Sequence, residues 1–112
     1  MSEYKLTVRP FCMGTDKEAA LKPLEEASEV YAAWQEVAYV CDDEFIKNGC
    51  CSPGVSVPCT EVGRCRMMGE LADEIADCIQ ACCNLANRYG IDLQVAIERC
   101  EERNRERGRY DA

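Results

Sequence analysis

The spacing of apolar residues divides the chain into two long helical stretches, a shorter third one, and an interrupted stretch between the first two. Residues 4–9 alternate weakly, as an extended arm would, and Pro10 and Gly14 close that segment. Thr15 or Asp16 is placed to cap a helix with Glu18 in its first turn. Pro23 then either kinks this helix or opens a second one as its first residue. From Leu24 to about Val40, Leu24, Ala27, Tyr31, Trp34 and Ala38 recur at helical spacing, and Val30, Ala33, Val37 and Cys41 form a second apolar row. Two rows call for cover on more than one side, more than a small monomer readily provides, and so point to a dimer.

Between Asp42 and Arg66 the periodicity breaks. Gly49, Pro53, Gly54, Pro58 and Gly63 punctuate a long loop containing or bordering Cys50, Cys51, Cys59 and Cys65, with room for a short helix near Asp43–Lys47. Loops of this length are uncommon unless they serve a function, are ordered by something, or are expected to be mobile. Helix is expected again near Met67, where Leu71, Ile75, Cys78, Cys82, Leu85 and Tyr89 alternate steps of four and three, a coiled-coil-like seam. Gly90 suits the end of that helix and Asp92 the cap of the next. The last helix places Leu93, Ala96, Ile97 and Cys100 on one face, turns polar, and ends by Gly108. The expectation is one all-α domain over residues 1–112: a helical bundle completed by dimerisation, with an arm at 1–14 and a Cys/Gly/Pro-containing loop at 42–66 between its long helices.

Composition narrows the chemistry. The 112 residues fit one domain, and a hydrophobic fraction of 47% can supply a core. The net charge of −8 disfavours a long nucleic acid as partner. The ten cysteines would fit a secreted disulfide scaffold. Residues 1–14, however, hold no apolar signal core, and Cys78, Cys82 and Cys83 fall inside a helical pattern, so a cytoplasmic, mostly reduced protein is expected. No stretch approaches the ~20 apolar residues of a membrane span. The chain has no histidine, which removes histidine bases, Ser-His triads and histidine-ligated zinc.

The acids carry the chemistry. Glu25, Glu26 and Glu29 form E-E-x-x-E on the first long helix, where residues three apart are neighbours. On the second, Glu70, Asp73, Glu74 and Asp77 fall along one stripe, with no basic residue at helical spacing within that segment to relieve their repulsion. A divalent cation would relieve it. Carboxylate oxygens suit Mg²⁺ or Mn²⁺, which bridge readily to substrate phosphates. Two E-x-x-[ED] pairs facing one another would make a box of four acids, with Glu25 close enough to take a proton from water. The plain alternative is solvated helix surface; Glu74 and Asp77 flank the apolar seam, which favours the box.

Lys22-Pro-Leu-Glu25-Glu26-Ala-Ser-Glu29-Val, followed by Glu70-Leu-Ala-Asp73-Glu74-Ile-Ala-Asp77, resembles the MazG-type nucleoside triphosphate pyrophosphohydrolases. The tail, Tyr89-Gly-Ile-Asp-Leu93 and Glu102-Arg103-Asn104-Arg-Glu-Arg107, resembles the phage and prophage members of that group. The likeness covers roughly residues 18–107 apart from the loop. It implies an all-α fold assembled as a homodimer or homotetramer, with Mg²⁺ held by Glu26, Glu29, Glu74 and Asp77. It further implies hydrolysis of a (d)NTP to the monophosphate and pyrophosphate, in nucleotide-pool cleansing or phage nucleotide metabolism, with Asn104 and Arg107 helping to bind phosphates or sugar. The chain departs from the family in its long loop, and in Cys100 where a lysine often stands; Arg99 or Arg103 is placed to supply that charge.

Other residues carry paired readings. Trp34 sits on an apolar row and so reads as core, or alternatively stacks on a base. Lys22 reaches a phosphate or pairs with Glu18 or Glu26. Asn84 continues the acidic stripe and reads either as surface or as a nucleotide contact. The arginine-rich tail reads as a solvated helix end or as a phosphate contact. Cys50, Cys51, Cys59 and Cys65 lack paired zinc-knuckle spacing, so a zinc-stabilised adaptor is the weakest reading. Besides the enzyme, a catalytically silent dimeric module of the same fold, with an interaction or regulatory role, remains in view.

Overall fold

The structure, a computed structural model, describes residues 3–40 and 63–111. All regular structure among them is helical: α1 spans Asp16–Val40, α2 Gly63–Arg88 and α3 Leu93–Glu106. The expected short helix at 43–47, Cys41 and the loop cysteines Cys50, Cys51 and Cys59 lie outside the described residues. The second helix starts earlier than its apolar pattern foretold, so residues 63–66, Cys65 among them, belong to α2 instead of the loop.

Thr15 begins α1 through a reciprocal cap. Its hydroxyl accepts the Glu18 N–H at 3.2 Å, and the Glu18 carboxylate accepts the Thr15 N–H at 3.0 Å. Gly14 precedes it at φ 72°, a backbone region that side chains rarely enter. Pro23 lies within a continuous α1, so it opens no second helix. Gly90, at φ 65°, closes α2, with the Ile91 N–H returning to the Ala86 carbonyl at 2.9 Å. Asp92 then caps α3 by accepting the Val95 N–H at 3.2 Å.

Helices α1 and α2 form an antiparallel hairpin: Asp16 meets Arg88, and Pro23 meets Cys78. The inward row of α1 is Pro23, Glu26, Val30, Ala33 and Val37. That of α2 is Met67, Leu71, Glu74, Cys78, Ala81, Leu85 and Arg88, alternating steps of four and three. The seam expected on α2 is therefore rotated. Leu71, Cys78 and Leu85 belong to it, whereas Ile75, Cys82 and Tyr89 are exposed. On α1 the Val30–Val37 row faces α2, and Trp34 does not pack in a core: it is 46% exposed and stacked on Tyr31, ring centroids 5.7 Å apart.

Few apolar side chains are fully covered. Among the described residues the buried ones are Val37, Ala81 and Ala86. Val37 is wholly enclosed, which stabilises the hairpin by about 2 kcal/mol. Leu21, Leu24, Tyr31 and Trp34 form an exposed stripe along the outer face of α1. α3 touches the hairpin only marginally and buries none of its residues. No helix among the described residues is long and apolar enough to cross a membrane.

The arm is tied down by polar contacts. Gln80, Asn84 and Arg88 stand one turn apart on α2 and grip its backbone. Gln80 Nε2 donates to the Arg9 carbonyl at 3.0 Å, and Asn84 Oδ1 accepts the Phe11 N–H at 2.9 Å. Arg88 donates to the Gly14 carbonyl at 3.0 Å.

Candidate metal centre

Glu26 and Glu74 occupy positions in the facing rows where an apolar residue would ordinarily pack. The hairpin register sets them across from one another, and Glu29, one turn beyond Glu26, reaches the same place. One carboxylate oxygen from each of Glu26, Glu29 and Glu74 lies within 4.8 Å of the others.

The environment of these oxygens separates the trio from ordinary helix surface. Glu26 is only 7% exposed, and its Oε2 is buried without a hydrogen-bond partner. Glu74 Oε2 is likewise buried and unpartnered. Leaving such atoms unsatisfied costs about 1–3 kcal/mol each, more where the group is charged. Three converging oxygen ligands, two of them with orphaned atoms, fit a hard divalent cation.

Asp77 stands one turn along α2 from Glu74, exposed and outside the trio. The acidic stripe expected on α2 is thus divided: Glu74 turns inward, and Glu70, Asp73 and Asp77 remain exposed. Glu25 is exposed beside the trio, its Oε2 3.5 Å from Lys22 Nζ. Lys22 Nζ also lies 3.3 Å from Glu26 Oε1. The hydrogen bond to Glu26, with the charges of Glu26 and Glu25, holds the Lys22 ammonium above its usual pKa. A cavity of about 210 Å³ adjoins it, lined by Met13, Gly14, Glu18, Leu21, Lys22 and Glu25.

The remaining candidates are spread over the molecule. Asn84 lies ten residues beyond Glu74 on α2, about 15 Å along the axis, and its Oδ1 is engaged by Phe11 and Gln80. Trp34 is two turns from Glu26 on the outer face of α1. Arg103 and Asn104 belong to α3 and Arg107 is its C-cap, and the single chain does not pack α3 against the acidic trio. Asn104 instead lines a groove of about 580 Å³ with Glu3, Tyr4, Ile97, Cys100, Glu101 and Tyr110. Among the described cysteines, Cys12, Cys78, Cys82, Cys83 and Cys100 are free thiols. Partial desolvation of this largely exposed thiol, then Cys78 and Cys83, push Cys82 above its usual pKa, which disfavours a reactive thiolate.

Sequence reasoning missed the Gln80–Asn84–Arg88 row that binds the arm. Its signal was present: three hydrogen-bonding side chains at i, i+4 and i+8 beside an apolar seam.

No family model, no curated protein and no solved structure matches the chain.

Proposed function

We propose that the chain is a Mg²⁺-dependent nucleoside triphosphate pyrophosphohydrolase of the MazG type, converting a (d)NTP and water to the monophosphate and pyrophosphate. The observation that carries this reading is the convergence of Glu26, Glu29 and Glu74 around buried, unpartnered carboxylate oxygens in the hairpin seam. It is the arrangement expected where a divalent ion supplies the missing partner. The sequence resemblance adds the substrate class.

In this reading Glu26, Glu29 and Glu74 hold Mg²⁺, for which Mn²⁺ can substitute, and Asp77 joins them from its exposed turn. An ion held there would supply positive charge to offset phosphate and to make water a better nucleophile. Glu25, at the rim, accepts a proton from the attacking water. The exposed stripe on α1 and the thinly packed α3 favour a homodimer or homotetramer, in which Trp34, Asn84, Arg103, Asn104 and Arg107 contact nucleotide. The natural setting is cytoplasmic nucleotide metabolism.

The test is pyrophosphate release from a panel of NTPs and dNTPs with Mg²⁺, comparing the wild type with Glu74→Gln. Mg²⁺-dependent release that disappears in the variant is the expected result. A folded wild type inactive on every nucleotide sinks the enzymatic reading and leaves a silent helical interaction module.

A further inference from the structure

We infer that Lys22 is the built-in counter-ion of the acidic trio, and that a divalent cation binding there competes with its ammonium for the Glu26 carboxylate. The inference rests on the metal reading proposed above and adds a residue that sets how tightly the metal is held.

Three features of the geometry carry it. Glu26 is buried, and while its Oε2 has no partner, its Oε1 faces Lys22 Nζ at 3.3 Å. The ammonium therefore partners an oxygen of the same carboxylate that a cation would take. Lys22 is a single charge among several acids, since its Nζ also lies 3.5 Å from Glu25 Oε2. It leaves Glu74 Oε2 unsatisfied, so it compensates the cluster only in part.

The ammonium is also free to leave. The Lys22 side chain is 53% exposed, so its withdrawal from Glu26 uncovers no core. The adjoining cavity is walled by Glu18 and Glu25 as well as Lys22, and a displaced ammonium keeps Glu25 as partner there. Exchanging a monovalent for a divalent charge at Glu26 adds attraction to every carboxylate in the trio. Lys22 thereby lowers the apparent affinity for metal to the extent that the two positive charges compete for Glu26.

Mn²⁺ binding to the full chain, followed through the paramagnetic signal of the free ion and without nucleotide, tests this on the wild type, Lys22→Met and Lys22→Arg. Methionine keeps most of the stem and removes the charge; arginine keeps the charge. The expected result is about two- to fivefold tighter Mn²⁺ binding in Lys22→Met, from the typical strength of a part-exposed ion pair, and wild-type binding in Lys22→Arg. Unchanged or weaker binding in Lys22→Met overturns the inference, as does equal tightening in both variants. If neither wild type nor Lys22→Met binds Mn²⁺, the metal reading itself has failed, and the inference falls with it.

Discussion

Arg88, in the last turn of α2, reaches Asp16, the first residue of α1, with Nε 2.6 Å from Oδ1. A second guanidinium nitrogen donates to the Gly14 carbonyl, so one side chain closes the open end of the hairpin and pins the arm where it enters α1. The fork geometry suits arginine and not lysine.

Replacing Arg88 by alanine is expected to lower stability only modestly, because Asp16 is largely exposed and solvent screens the pair. Lysine at this position should recover only part of the loss. Urea denaturation of the three proteins measures it; equal midpoints would show that the clasp contributes nothing.

The cap at Thr15 brings a pH dependence with a definite sign. The Thr15 N–H, then its hydroxyl, hold the Glu18 carboxyl below its ordinary pKa. A carboxylate depressed in the folded state contributes stability above its unfolded pKa and loses it as the pH falls through the folded value. The start of α1 should therefore loosen below about pH 4, and Glu18→Gln should remove that component. Thr15→Ala is expected to weaken the helix start by about 1 kcal/mol at neutral pH. Thermal melts across the acid range, compared between wild type and Glu18→Gln, give the difference directly.

Divalent metal should raise the melting temperature. At a concentration near 100 times the dissociation constant the gain is about 2.7 kcal/mol, several degrees for a domain of this size. Chelation should reverse it, and Glu74→Gln should abolish it. Asp77→Asn, outside the trio, should lose less affinity for metal than Glu26→Gln. Without metal, Glu26→Gln should change stability little, since the amide removes a buried charge with an unpartnered oxygen but also the ion pair with the exposed Lys22. Calorimetric melts with and without Mg²⁺ distinguish these outcomes.

The outer stripe of α1 should be an interface. Sedimentation is expected to give a dimer or tetramer for the wild type, and Trp34→Glu should shift the chain toward monomer by placing a charge in the apolar contact. A wild type that sediments as a monomer at all concentrations would leave the stripe unexplained.

Asn84→Ala should free the arm. Loss of the acceptor for the Phe11 N–H loosens the segment around Lys5 and Arg9, and limited trypsin digestion should cut there several times faster. If the cleavage rate is unchanged, Gln80 and Arg88 suffice to hold the arm.

Much of the architecture was legible in the residues alone. Periodicity located the helices, and Thr15, Glu18, Gly90 and Asp92 marked their ends, because caps and helical repeats are local consequences of backbone geometry. The acids that converge were also named in advance. Which of them turn inward was not legible: Glu74 and Asp77 both flank the same apolar residues, and only the rotation of α2 against α1 selects Glu74. The seam was misjudged for the same reason. Leu71–Ile75–Cys78 and Leu71–Glu74–Cys78 are equally good helical rows, and hydrophobicity favours the first. The tertiary structure chose the second, since the hairpin register places a row containing one glutamate opposite another. The arm escaped sequence reasoning because the row Gln80–Asn84–Arg88 is visible as a pattern but does not name its partner, a backbone about seventy residues away. Sequence by itself determined the helices, their caps, the acidic chemistry and the i,i+4 pairing of Lys22 with Glu26; packing decided which carboxylates are buried together, because burial depends on the mutual rotation of two helices and not on the order of residues in either.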